Sequence, residues 1–168
     1  MHLSDIISPA AIAVRIHIED KDHALRFAAA SLGARSGLDA GSIRAALAAR
    51  EALGSTGIGS GIAVPHACFS GLGRSYALFC TLAAPVDFDA IDGKPVDLVF
   101  TTIGPAGFGT GGGETLPYLA AVSRMLRNKG LASAVRNANN PWSVYDTIVE
   151  FDTAAQPGSS EAWRKPMR

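Results

Sequence analysis

The chain has 168 residues, 48% of them apolar and 18% charged, with Lys plus Arg and Asp plus Glu balanced at 15 each. That length buries the core of one domain, and that composition is globular and not disordered. A formal net charge of zero offers no basic excess for nucleic acid and no polybasic run for a lipid surface. No apolar run approaches the ~18 residues needed to span a bilayer. The start, Met-His-Leu-Ser-Asp-Ile-Ile-Ser-Pro, lacks the basic and then apolar pattern of a signal peptide. Cys68 and Cys80 are too few for a disulfide framework, and a reduced, cytoplasmic protein is the economical reading.

Residues 10–18 partly alternate, with Val14, Ile16 and Ile18 on one side, a strand pattern. Asp20 then caps a helix whose Leu25, Ala28, Ala29 and Leu32 form an apolar stripe, with Gly33 placed to stop it. A second helix spans Asp39 to about Glu51, and its Ile43, Ala46, Leu47 and Arg50 share a side. A glycine-punctuated loop follows, Leu-Gly-Ser-Thr-Gly-Ile-Gly-Ser-Gly over 53–61, and runs into a short strand at 61–67. Residues 75–82 read as a buried strand. The runs 86–91 and 95–103, on either side of Asp92-Gly93, read as a hairpin.

Residues 104–114 are a glycine-rich loop, and apolar helical spacing returns from Leu116 with Leu119, Val122 and Leu126. Thr115 is positioned to cap that helix. A further helix follows Gly130, and Asn140-Pro141 opens the last, with Tyr145, Ile148 and Val149 facing in. Helices at both ends of a strand-rich centre predict an α/β sandwich with a mixed sheet of four to five strands. The expected domain is 1–152, followed by a disordered tail at 153–168.

The chemistry concentrates at His66. Pro65 stiffens the approach to the ring. Gly57, Gly59 and Gly61 free backbone N–H groups for an anion, Ser55, Thr56 and Ser60 add hydroxyls, and Arg50 adds a charge. An imidazole beside such a loop suits a phosphoryl-accepting histidine, because nitrogen attacks and the phosphoryl oxygens need donors. The bland alternative is a packed ring at a strand end. The glycines match neither a P-loop nor a dinucleotide fingerprint, since no Gly-Lys-Ser/Thr follows and a strand comes next. His66, Cys68 and Cys80 lack the fourth ligand that a zinc site wants, so no metal is expected. A Cys68 nucleophile has no stronger support, and Cys80 reads as core. His2, His17 and His23 read as ordinary surface or core residues.

The run from Arg50 through Gly-Ser-Thr-Gly-Ile-Gly-Ser-Gly-Ile-Ala-Val-Pro to His66-Ala, together with 85–100 and Leu119–Arg127, resembles the EIIA domains of the fructose/mannitol type in the bacterial phosphoenolpyruvate-dependent phosphotransferase system. It is most similar to their stand-alone nitrogen-regulatory members, over roughly residues 3–151. The resemblance implies an α/β domain in which His66 receives a phosphoryl group from an HPr-type phosphocarrier, with Arg50 in support and no nucleotide, metal or other cofactor. It also implies downstream regulatory protein targets, and it leaves a homodimer open. Thr115 stands where such proteins commonly carry a second histidine, and a threonine brings a hydroxyl but no charge. Two other readings follow from the same residues. One is a sugar-transport IIA subunit served by separate IIB and IIC components. The other is a binding module of this fold without efficient phosphotransfer.

Overall fold

The structure is a computed structural model that describes residues 1–107 and 114–155. Two 3-10 turns, Leu3–Asp5 and Pro9–Ala11, lead into β1 (Ile12–Ile16). Then come α1 (Lys21–Ser36), α2 (Ala40–Ala52), β2 (Gly57–Gly59), β3 (Ile62–Ala63) and β4 (His66–Phe69). The long strands β5 (Tyr76–Val86) and β6 (Val96–Pro105) precede α3 (Thr115–Arg127), α4 (Lys129–Asn137) and α5 (Pro141–Ala154).

The sheet runs β1-β5-β6-β3-β2, and β4 also pairs with β6. Pairing is parallel for β1/β5, β3/β6 and β4/β6 and antiparallel for β5/β6 and β2/β3, so the sheet is mixed as expected. Each face carries its own core, which is why β5 and β6 are apolar almost throughout. Leu98 and Phe100 of β6 and Phe79 of β5 pack with Val122, Met125, Val135 and Ile148 of α3–α5. Val99, Ile103, Leu78 and Cys80 face the other way, against Leu25, Leu32, Ile43 and Leu47 of α1 and α2.

Six strands form where four to five were expected, for two physical reasons. Pro65 has no N–H to give a ladder, so the expected 61–67 strand divides into β3 and β4, both beside β6. The glycine stretch is also not a loop. Gly57–Gly59 forms β2 and turns back through Ser60 and Gly61, both at positive φ (57° and 78°), the geometry of a two-residue hairpin turn.

Other boundaries move as well. The β5–β6 hairpin is closed by the long 87–95 connection, and 86–91 is not a strand of its own. Arg15, at φ 52°, interrupts the β1/β5 register, so Val14 packs on one core and Ile16 and Ile18 on the other. The first helix passes through Gly33, tight against Leu38 and Ala40, and stops at Gly37. Glu114 occupies the cap position of α3 and makes no side-chain cap bond, while Thr115 is the first helical residue. Val149 points to solvent. The last helix extends through Ala154, so the expected boundary at 152 falls inside it. Most of the expected glycine-rich loop, 108–113, and the tail beyond Ala155 lie outside the described residues. Among the described residues no helix is long and apolar enough to cross a membrane.

Candidate functional site

His66 is the first residue of β4, half-buried, on a strand with β6 on only one side. Pro65 still presents its carbonyl to Thr102 N (3.0 Å), so the backbone stays anchored to β6 up to the ring. The imidazole is held at both nitrogens. Nδ1 lies 2.9 Å from the Val64 carbonyl oxygen, and Arg50 Nε donates to Nε2 at 3.3 Å. A carbonyl only accepts and a guanidinium only donates, so both contacts are satisfied by one tautomer. The proton sits on Nδ1, and the Nε2 lone pair faces Arg50.

Arg50 stands in the last turn of α2, where the helix dipole favours a cation. Its Nη1 donates to the Gly54 carbonyl at 2.9 Å, so the guanidinium spans Gly54 and His66. Both groups open on a cavity of about 630 Å³ lined by Ala46 and Ala49 of α2, His66 and Cys68 of β4, and Leu116 of α3. Leu53 at its rim is 86% exposed and Leu116 50%. The site is therefore a polar nitrogen pair at the bottom of an apolar, open groove.

The remaining expected phosphate-binding residues are placed differently, and none of them lines this cavity. The Ser55 hydroxyl donates to the Phe88 carbonyl and accepts from Gly57 N (3.0 Å). Thr56 is buried, and its N–H (3.1 Å) and hydroxyl both donate to Glu51. Gly57 lies so close to Ala90 that a Cβ there would come within 2.8 Å of it. Gly59 and Ser60 lie beside Asp92, whose carboxylate takes the Ser60 N–H at 2.9 Å, while the Ser60 carbonyl accepts from Arg136. That hairpin turn flanks Asp97 at the opposite end of β6 from Thr102, His66's partner. Of the glycine N–H groups expected to form an anion cradle, that of Gly57 is committed to Ser55, and none of Gly57, Gly59 and Gly61 lines the groove at His66.

Thr115 is fully buried, with its hydroxyl 3.8 Å from Cys68 Sγ and its methyl over Gly104, so it does not open into the groove. Among the described residues no three His, Cys, Asp or Glu side chains gather to hold a metal ion. The sequence reading missed the Val64 and Gly54 carbonyls, which orient the ring and the guanidinium, because any residue type can supply a carbonyl. It also missed Glu51. Its signal was available: Ile43, Leu47 and Glu51 repeat every fourth residue, which puts a carboxylate in a core stripe.

Residues 5–151 match the model of the phosphoenolpyruvate-dependent sugar phosphotransferase system, EIIA 2. A nitrogen regulatory protein of Bradyrhizobium diazoefficiens is 33% identical over 148 residues, which are 88% of this chain and 95% of that protein. The solved nitrogen regulatory protein IIA-Ntr from Neisseria meningitidis superimposes with a TM-score of 0.77 at 28% identity, covering 87% of this chain and 98% of that one. A chain in the solved complex of enzyme IIA-Mtl with phosphorylated enzyme IIB-Mtl from Escherichia coli shares the fold at TM-score 0.72 and 18% identity, over 86% of this chain and 97% of that one.

Proposed function

This chain belongs to the EIIA type 2 family of the phosphoenolpyruvate-dependent phosphotransferase system, and from that premise we propose that His66 is its phosphoryl acceptor, through Nε2. The observation that carries the reading is the pair of contacts on the ring, with Val64 keeping the proton on Nδ1 and the Nε2 lone pair facing Arg50 at the groove. The donor is a phosphohistidine on an HPr-type carrier. The Nε2 lone pair attacks phosphorus, the donor's P–N bond breaks, and its electron pair stays on the donor nitrogen. With Nδ1 protonated, the His66 ring gains positive charge as the new bond forms, and the Val64 carbonyl stabilises it.

Arg50 cannot keep its bond to Nε2 once phosphorus occupies that lone pair. Its guanidinium shifts to the phosphoryl oxygens, where a charged, multidentate donor is strongest. No nucleotide or metal is needed for a transfer between two imidazoles. The apolar groove around His66 suits a carrier that docks an apolar rim and excludes water from the P–N bond. The names of the relatives favour a regulatory protein, whose partners read the added charge at this groove, over a transport subunit.

The test is incubation with phosphoenolpyruvate, enzyme I and an HPr-type carrier. A gain of one phosphoryl mass that is acid-labile and absent in His66→Ala is expected. An unmodified chain under conditions that label the carrier overturns the proposal and leaves a docking module of the same fold.

A further inference from the structure

We propose that Glu51, clamped to Thr56, is the positioning residue that aims both nitrogens of His66, an inference that deepens the phosphoryl-acceptor reading and rests on it. Glu51 is buried at 8% exposure, directly after Arg50. Its carboxylate accepts from Thr56 N at 3.1 Å through each oxygen and from the Thr56 hydroxyl. Lys21 Nζ approaches the same carboxylate at 3.4 Å while donating to Asp89 at 2.7 Å, which joins α1 and the 87–95 connection to the clamp.

Two paths run from Thr56 to the imidazole. Along one, the Thr56 carbonyl accepts from Val64 N (2.9 Å), and the Val64 carbonyl holds Nδ1. Along the other, the tethered 53–56 segment carries the Gly54 carbonyl, which fixes Arg50 Nη1, and Arg50 Nε meets Nε2. Thr56 and Glu51 touch no reacting atom. They hold the two groups that choose the tautomer. A buried carboxylate satisfied by backbone N–H, hydroxyl and ammonium donors is costly to disturb, so the geometry it sets is sharp.

The test compares wild type with Glu51→Gln, Thr56→Val and Thr56→Ser, by ring nitrogen NMR of the unphosphorylated protein and by phosphorylation kinetics with the carrier. The wild-type ring shows one tautomer, protonated at Nδ1. Glu51→Gln and Thr56→Val populate both tautomers well below their melting temperatures. Their phosphorylation turnover falls on the order of a hundredfold, with the carrier KM little changed. Thr56→Ser, which keeps N–H and hydroxyl, restores the single tautomer and the rate. A folded Glu51→Gln or Thr56→Val with the wild-type tautomer and rate overturns the assignment. The NMR arm needs no phosphoryl transfer: mixed tautomers in the variants of a chain that is never phosphorylated support the clamp while refuting the acceptor reading.

Discussion

At the scale of single residues, the proposed site is two side chains and two carbonyls. Removing Arg50 leaves the Nε2 lone pair in place but deletes the cation that, among the described residues, touches it. Arg50→Ala is therefore expected to slow phosphorylation of His66 by about a hundredfold, the usual cost of one preorganised donor, without abolishing it; time courses with the carrier check this. The two thiols also differ. Burial pushes the Cys80 thiol up to about 12, whereas Cys68 borders the groove. At pH 8 iodoacetamide should label Cys68 in the native protein and reach Cys80 only after unfolding, as peptide mapping reads. Because the folded value of Cys80 lies above the ordinary 9, its contribution to stability is complete below pH 9 and is lost as pH rises toward 12. Denaturant midpoints of wild type and Cys80→Ala should therefore converge over that alkaline window. The proposed pair, His66 and Arg50, stands out in the sequence because their chemistry lies in the side chain. Ser55 and Thr56 were legible only as polar residues: their hydroxyls serve Phe88 and Glu51, partners that no local spacing reveals.

At the scale of elements, the helix starts were readable because capping is local. Asp20, Asp39 and Asn140 each accept from a backbone N–H three residues on. The glycine stretch was misread because β2 exists only through its pairing with β3, although Ser60-Gly61 carried a hairpin signal. The long-range contact that seats α3 was not readable at all. A Cβ on Gly104 would come within 2.6 Å of both Ser75 Oγ and the Thr115 methyl, so the first turn of α3 needs a bare backbone beneath it. Gly104→Ala should cost about 1–3 kcal/mol in denaturant unfolding and shift the amide signals of Thr115 and Leu116 at the groove. At the other end, Asp152 of α5 accepts from Leu3 N and Ser4 N, each at 2.9 Å, and from the Ser4 hydroxyl. Asp152→Ala should release the first turn, seen as rapid hydrogen exchange at Leu3 and Ser4, and cost about 1–3 kcal/mol for the buried donor left unpaired.

At the scale of the whole molecule, a sheet buried on both faces supports one strand, β4, whose other edge is left to the groove. The two-sided apolar runs made that architecture legible, and the balanced charge made its consequence legible too. Under the proposed transfer, a chain with zero formal charge gains a phosphoryl group of about two negative charges beside a ring that turns cationic, a net change of about one negative charge at one apolar rim, so partner affinity there is expected to respond to a single modification. The proposed transfer turns on which nitrogen reacts. Nitrogen- and phosphorus-detected NMR of the chain phosphorylated by its carrier measures this directly. Phosphorus coupled to Nε2 of His66, with Nδ1 still protonated against Val64, is the predicted result. Phosphorus on Nδ1, or on any residue other than His66, would contradict it.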